Sequence, residues 1–226
     1  FGTNIAAFLV HNFTTGGNVS FRTQGGVTQE NLDQDFINTL ATQLIGSQTN
    51  LNQAGSVQVI QERLKQVDKG FFAQEEVNFK DMAIFTVGIR GDKSSRNGDV
   101  NKLFYYPKAS LALNIHEITD LGSTLSQFKL RGAFGQSGNF GPFGATYTPL
   151  NPIIIGGNTG SIIGITLGNT TIGPEKQTEI EAGFDLGIVQ NRFNLEFTYY
   201  VKSVKDLILL VNTPSASGFT SAWRNA

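Results

Sequence analysis

Apolar and polar residues alternate with a period of two along much of the chain, most clearly near its C-terminal end. One predicted strand places Ile180, Ala182, Phe184, Leu186 and Ile188 on one side and Glu179, Glu181, Gly183, Asp185 and Gly187 on the other. After Gln190-Asn191, the next places Phe193, Leu195, Phe197 and Tyr199 on one side and Arg192, Asn194, Glu196 and Thr198 on the other. Successive side chains of a strand point to opposite faces, so the pattern predicts a β-hairpin with one apolar and one charged face.

Similar alternation elsewhere predicts two more hairpins and two single strands, about eight strands in total. One hairpin turns at Thr15-Gly16-Gly17, and the other turns at Lys80-Asp81. The remaining predicted strands span residues 5–13, 19–29, 70–79, 83–92, 104–114 and 127–136, the last two joined by a moderate connection, residues 115–126. Most of them have the length of about 9 to 11 residues that a tilted transmembrane β-strand needs.

The connections alternate between short and long. Residues 30–69, 93–103 and 138–173 are long connections, and the hairpin turns between them are short. Short turns at one rim and long loops at the other are typical of outer-membrane barrels. Apolar residues at helical spacing predict two short helices in the first long loop: Phe36, Ile37, Leu40, Leu44 and Ile45, then Val57, Ile60, Leu64 and Val67. The Gly-, Asn-, Pro- and Thr-rich segment 138–173 is predicted to be irregular and mobile.

Composition excludes several classes of function. Charged residues make up 15% of the chain, against roughly 25% in ordinary soluble domains. The net charge of −1 gives no basic surface for nucleic acid. There is no cysteine and only His11 and His116, so no metal cluster is predicted. No cofactor motif is present. Glu179 and Glu181 would lie about 7 Å apart on one strand face, but such charges are ordinary in a polar barrel lumen, and we expect no enzyme activity.

Alternation alone does not show whether the apolar face meets a protein core or lipid. A soluble all-β ligand-binding module, such as a carbohydrate-binding or adhesin domain, is the alternative to a membrane barrel. Near-uniform strand lengths and the paired aromatic residues Phe71-Phe72, Tyr105-Tyr106 and Tyr199-Tyr200 favour the barrel. In a barrel, Ile180, Phe184, Leu186, Phe193, Leu195 and Phe197 are expected to face lipid, and Arg131, Glu179, Glu181, Asp185 and Glu196 are expected to face the lumen. Arg131 or Lys129 on another strand would pair with the two glutamates.

Six short motifs carry a resemblance to a known family. In order they are GFFAQEE from residue 70, IRGDKSS from 89, FYYPKAS from 104, LRGAFGQSGN from 130, PEKQTEIEAGFD from 174, and YY at 199 with KDLI from 205. Each motif is weak alone, but their order and spacing are specific. Together they resemble the barrel of SusC/RagA-type TonB-linked outer-membrane proteins, while residues 1–69 match only in general style.

The resemblance implies an antiparallel transmembrane barrel in the bacterial outer membrane that imports bulky nutrients, either glycans or peptides. It also implies a SusD-like lipoprotein lid and energy from the TonB complex. All 226 residues are interpreted as part of the barrel domain, without a recognisable plug domain or the remaining strands. We therefore expect a partial sheet whose first and last strands share no hydrogen-bond ladder. Loop residues expected to contact nutrient or lid are Asn139, Phe140, Tyr147 and Asn158.

Overall fold

A computed structural model describes residues 1–44, 46, 50–119, 121–122 and 124–226. Within these residues, nearly all regular structure is β-strand. The strands are β1 Gly2–Thr15, β2 Val19–Leu44, β3 Ala54–Phe79, β4 Ala83–Ser94, β5 Phe104–Asn114, β6 Leu125–Asn139, β7 Leu150–Ile155, β8 Asn158–Ile163, β9 Thr166–Leu167, β10 Glu175–Ile188, β11 Phe193–Lys205, β12 Ile208–Asn212 and β13 Ser221–Asn225. A four-residue α-helix, Ile115–Ile118, lies between β5 and β6, and 3₁₀ turns span Leu51–Gln53 and Ser215–Ser217.

Eight strands form one antiparallel sheet in the order β1-β2-β3-β4-β5-β6-β10-β11. Neighbouring strands of the sheet follow one another in the chain, except that β7, β8 and β9 lie in the connection between β6 and β10. In the described part of the chain, β1 pairs only with β2, and β11 pairs only with β10. The predicted absence of a ladder between the first and last strands is confirmed, and the sheet is open.

Tight turns join the strands at one rim. Gly16 and Gly17 connect β1 to β2 with φ angles of 59° and 68°, in the left-handed region that glycine adopts without a Cβ penalty. Lys80 and Asp81 connect β3 to β4 in the same region. There the Asn78 side chain accepts a hydrogen bond from the Asp81 backbone N–H at 2.9 Å. Both turns lie where the sequence predicts them.

The prediction of two helices in residues 30–69 is wrong. β2 and β3 continue through this segment as 26-residue strands and pair as far as Leu44 opposite Ala54. The cross-strand pair Asp35 and Arg63 forms an ion pair at 3.4 Å, while Ile45 lies outside the described residues. The apolar spacing suits a helix, but β-branched residues such as Val57, Val59 and Ile60 favour extended structure, and a paired partner strand satisfies the backbone of both strands. The two strands therefore form a ribbon that extends beyond the rest of the sheet.

The long connections meet at the opposite rim. Residues 138–173 are not wholly irregular, because β7 and β8 pair as an antiparallel hairpin. β9 then pairs in parallel with β13, and β13 pairs antiparallel with β12. The apolar residues buried among the described ones are Tyr106, Ala145, Ile172 and Ala222. Ala145 and Ile172 lie in residues 138–173, and Ala222 lies in β13, which pairs with β9 of that segment. The well-buried part of the structure is therefore at this rim, hereafter the loop rim.

The register gives the main sheet two different sides. Phe85, Phe184 and Phe197 lie on one side together with most other apolar residues of their strands, hereafter the apolar face, while Ile84 and Val204 lie on the other side. Arg131, Asp185 and their in-register neighbours lie on the other side, the charged face. No second sheet covers the apolar face in the described residues, and large side chains on it remain 52–68% exposed at Phe193, Leu195 and Phe197.

Among the helices of the described residues, none has the length and apolar character required to cross a membrane.

The loop rim is packed so closely at Gly98 that adding one methyl group there is expected to disturb it. The Gly98 backbone N–H donates to the Ile172 carbonyl at 2.8 Å, and a Cβ atom at Gly98 would overlap the Thr170 carbonyl oxygen. Gly98→Ala should therefore separate the two connections, at a cost of about 1 to 3 kcal/mol. Limited proteolysis of the complete protein should cut residues 140–173 faster, with the barrel still folded. Gly135→Ala is the control, since nothing lies within 4 Å of its added Cβ. An equal proteolysis rate in both variants would contradict the tight contact.

Candidate functional site

An ion network crosses three strands on the charged face. Arg131 on β6 lies opposite Gly183 on β10, which lies opposite Thr198 on β11. Because Gly183 has no side chain, the guanidinium can extend over β10. Its Nε donates to Asp185 Oδ1 at 3.2 Å, and its Nη2 donates to Glu196 Oε1 at 2.6 Å and to Thr198 Oγ1 at 2.7 Å.

This network corrects the predicted partner of Arg131. The arginine binds Asp185 and Glu196, which stand directly opposite each other on β10 and β11, and not Glu179 or Glu181. Two like charges in direct cross-strand register repel each other, and the guanidinium between them offsets that repulsion. Lys129 also stands opposite Asp185, but it forms no ion pair within the described residues.

Glu179 and Glu181 lie higher on the same face, towards the loop rim. Glu179 stands opposite Lys202 on β11 and Gly135 on β6. Both glutamates line a concavity of about 360 Å³ together with polar residues of the neighbouring strands, including Lys108 and Gln136. The concavity is open, and its wall combines charged side chains with apolar ones such as Phe134. All five residues predicted to face a lumen thus lie on one side of the sheet, in two adjacent groups.

A second ion cluster, not predicted from the sequence, joins β3 and the end of β4 to the long connections. Arg96 Nη2 donates to Asp68 Oδ2 at 2.8 Å, and Arg96 Nη1 donates to the Gly141 carbonyl at 3.2 Å. The guanidinium also lies over the Phe140 ring at 5.4 Å, and the Ser94 hydroxyl donates to the other Asp68 oxygen. Arg96 therefore holds residues 140–141 against β3 at Asp68. Its partners are 28 and 45 residues away in sequence, so no local pattern indicates them.

The four predicted contact residues lie at or near the loop rim, but the structure does not bring them together. The Asn139 amide donates to Glu175 Oε2 at 3.2 Å, and Phe140 packs under Arg96. Tyr147 is 50% exposed and makes an edge contact with Phe143. Asn158 begins β8 at the hairpin turn. No hydrogen bond or ring contact joins any two of the four in the described part of the chain.

Phe140 also lines a mixed-charge recess on the charged face. The recess has a volume of about 500 Å³ and includes Glu30, Asp68, Arg90 and Asp92 in its wall. Arg90 Nε donates to Asp92 Oδ2 at 2.7 Å, so these charges are largely paired. The described residues contain no group of three or more His, Asp or Glu side chains suited to a metal ion. The candidate site is therefore the charged face of the sheet, on which several charges are paired, together with the long connections at the loop rim.

The contribution of the Arg131 network to stability can be tested by removing first its positive charge and then one of its negative charges. Arg131→Gln leaves Asp185 opposite Glu196 without a cation and should lower the free energy of unfolding by about 1 kcal/mol, a modest value since Glu196 is well exposed. Adding Asp185→Asn to that variant should recover most of the loss. The apparent melting temperature of the detergent-solubilised complete protein measures both changes. Lys129→Gln is the matched control and should change it little; no recovery in the double variant would exclude the repulsion.

Comparison with known proteins places this arrangement in a family. Residues 2–226 match the family described as TonB dependent receptor-like, beta-barrel. Two curated relatives come from Formosa agariphila: TonB-dependent receptor P26 is 30% identical over 167 residues, and TonB-dependent receptor P3 is 24% identical over 160 residues. The matches cover 69% and 68% of this chain, but each covers only 16% of the relative. The chain thus spans a small part of the length of the relatives that it matches.

Solved structures show the same fold. The RagAB peptide transporter superposes with a TM-score of 0.88 at 19% identity, over 99% of this chain and 26% of that chain. The RagAB peptide importer in its open-open state gives 0.86 at 21% identity, over 100% and 26%. The copper transporter OprC gives 0.56 at 14% identity, over 99% and 33%. The resemblance to SusC/RagA-type proteins is confirmed, and the chain belongs to the TonB-dependent receptor β-barrel family of the bacterial outer membrane.

Proposed function

We propose that this sheet forms part of the wall of an outer-membrane importer for bulky nutrients, either glycans or peptides. In this proposal the apolar face meets lipid and the charged face lines the lumen. The observation that supports it most strongly is the contrast between the two faces: exposed phenylalanine and leucine side chains on one, and the Arg131, Asp185 and Glu196 network on the other. A polar lumen and an apolar lipid-facing band are the two surfaces of a transport barrel.

The proposed orientation assigns every residue predicted from the alternation. Lipid would contact Ile180, Phe184, Leu186, Phe193, Leu195 and Phe197, and the lumen would contain Arg131, Glu179, Glu181, Asp185 and Glu196. A soluble all-β ligand-binding module, the alternative, would have to cover the apolar face with a second sheet. In the described residues the apolar face has no such cover, and this favours the barrel.

An importer also needs a closed and plugged lumen, and the proposal includes both. The free edges of β1 and β11 would pair with further strands of the complete barrel, because open sheet edges are not tolerated in lipid. Large outer-membrane transporters have about 22 strands around a plugged lumen. The plug would then come from another part of the complete protein, and the TonB complex, a separate partner, would supply the energy. Glu179 and Glu181 would serve as lumen charges without a catalytic role.

The loop rim is the proposed place of recognition. Loops carried by a rigid sheet are where binding residues concentrate. Residues 141–173 contain no charged side chain, which suits contact with uncharged groups of a nutrient or of a SusD-like lid. Asn139, Phe140, Tyr147 and Asn158 are the proposed contacts. RagAB, which has the same fold, is described as a peptide importer with open-open and closed-closed states. A lid that opens and closes over this rim is therefore part of the proposal.

Orientation can be tested with single cysteines, since this sequence contains none. Cysteines at Leu195, Glu196 and Phe197 would carry spin labels in the complete protein reconstituted in lipid. Labels at 195 and 197 should be accessible to oxygen, which concentrates in lipid. A label at 196 should instead be accessible to a water-soluble nickel chelate. The alternation is the internal control. Uniform access of the chelate to all three positions would contradict a lipid-facing side.

The role of the loop rim can be tested by removing the β7–β8 hairpin. The Gly164 backbone N–H donates to the Pro149 carbonyl at 2.7 Å, so residues 149 and 164 can be joined with little disturbance after deletion of 150–163. Nutrient uptake or lid association should fall several-fold while the barrel still assembles. A variant that keeps the hairpin but carries Gly156→Asn, at a left-handed position that asparagine tolerates, is the matched control. If a normally assembled deletion variant showed unchanged uptake and lid binding, the hairpin would have no role in recognition.

A further inference from the structure

Two lysines lie side by side on the apolar face near the loop rim. Lys69 on β3 stands directly opposite Lys93 on β4, and Gln29 on β2 completes the row. Neither lysine side chain forms a hydrogen bond or an ion pair within the described residues. Like charges in direct cross-strand register destabilise a sheet. This pair therefore lacks the counter-charge that such an arrangement calls for.

The nearest carboxylates along the two strands are already engaged elsewhere. Asp68 binds Arg96, and Asp92 binds Arg90, each at 2.7–2.8 Å. Both aspartates also project to the charged face, because they alternate with the lysines along β3 and β4. Lys69 also borders the recess that contains these carboxylates, but in the described residues no ion pair joins it to them, and the wall of the groove on the apolar face contains no carboxylate.

An apolar groove lies next to the lysine pair on the same face. It has a volume of about 460 Å³, and its wall includes Ile5, Ala7, Val27, Phe71 and Leu103 as well as both lysines. Phe71 makes an edge contact with Tyr105 at 6.3 Å between ring centroids. The Phe71–Tyr105 pair lies one row below the lysines, as an aromatic interface belt does. A cationic pair above an aromatic row and an apolar groove matches an amphipathic ligand.

The height of the lysines agrees with a membrane boundary. Lys69 lies ten residues from Phe79, where β3 ends at the short-turn rim. At about 3.4 Å per residue and a tilt of about 40°, this separation is about 26 Å, close to the apolar band of about 25 Å in outer-membrane barrels. The groove would then lie within the lipid layer and the lysines at its extracellular surface.

We propose that Lys69, Lys93 and this groove bind a phosphorylated lipid of the outer leaflet. The lysines contact its phosphate, and its acyl chains lie in the groove. Complementary chemistry identifies the occupant, since an anion between the lysines removes their repulsion and acyl chains match the apolar wall of the groove. This site goes beyond nutrient import, but it rests on the proposed orientation of the apolar face toward lipid.

A second lysine pair provides a matched comparison. Lys176 and Lys205 also stand opposite each other on the apolar face near the same rim. There, however, Asp206 follows in the chain and lines the same concavity as Lys176. In the described residues no ion pair within 4 Å joins Asp206 to either lysine, but its carboxylate lies in the wall of that concavity, whereas the groove beside Lys69 and Lys93 has no carboxylate in its wall. We therefore assign no lipid to the second pair.

The test uses the complete protein, delipidated in detergent, and titration with bisphosphorylated lipid A followed by native mass spectrometry. Lys69→Gln with Lys93→Gln should weaken lipid A binding by about 10- to 30-fold, since each lysine near a membrane surface contributes about a factor of five. Lys176→Gln with Lys205→Gln should change it less than twofold. Dephosphorylated lipid A should bind equally and weakly to all forms. Inorganic phosphate alone should not compete at millimolar concentration.

Three outcomes would overturn the site: unchanged affinity in the first double variant, an equal loss in the second, or full competition by inorganic phosphate. The first would show no role for the pair, the second a general attraction by charge, and the third a site for free anions. Heat-modifiability on gels checks that each variant barrel is folded. The cysteine labels at 195–197 report orientation separately. Normal alternation of the labels with unchanged lipid affinity would reject the lipid site and leave the proposed function standing.

Discussion

The antiparallel hydrogen-bond ladder of the main sheet is the constraint on which the other features depend. The ladder pairs each strand with its neighbours residue by residue, and a slip of one residue would exchange the two faces of a strand. In the observed register, the Phe184 and Phe197 rings stack at 5.5 Å on the apolar face. In the next row, Asp185 and Glu196 meet on the charged face. One register thus fixes both surfaces. If the register shifted by one residue, Phe184 would stand opposite Glu196 or Thr198 and would lose its apolar partner.

Charges on the charged face are held in networks rather than in isolated pairs. Arg131 neutralises two carboxylates that the ladder brings into direct opposition, and it reaches both because Gly183 leaves the space above β10 open. Surface ion pairs contribute little to stability. The main effect of this network is to offset the repulsion between the two carboxylates that the observed register places opposite each other. The same reasoning applied to the apolar face points to Lys69 and Lys93, whose ammonium groups have no ion-pair partner in the described residues.

The loop rim follows a different physical rule from the sheet. Its stability comes from burial and from contacts between segments that are distant in the chain. Arg96 links Asp68 of β3 to residues 140–141, and the Gly98 backbone N–H donates to the Ile172 carbonyl in the connection that precedes β10. The amide of Asn225 donates to the carbonyls of Gly173 and Asp206 at 3.0 and 2.8 Å. The long connections are therefore packed against one another. This packing fixes the positions of the side chains that form the surface of the loop rim.

The sequence by itself determined the strands of the main sheet, the tight turns and the composition of the two faces. These follow from period-two alternation and turn residues, which are local properties that persist in any environment. The predicted strand 104–114 coincides with β5, and the turns at Gly16-Gly17 and Lys80-Asp81 lie as expected. Family membership was also legible, because short motifs keep their order and spacing along the chain.

Only the tertiary structure decided the secondary structure of residues 30–69, because the spacing of their apolar residues is compatible with a helix and with an extended ribbon. Pairing of β2 with β3 satisfies the backbone along 26 residues, and this long-range gain overrides the local pattern. Tertiary structure also decided that Arg131 binds Asp185 and Glu196, and that Arg96 binds Asp68. The partners in these contacts are between 28 and 65 residues apart in the chain, and a local pattern carries no information about such distances.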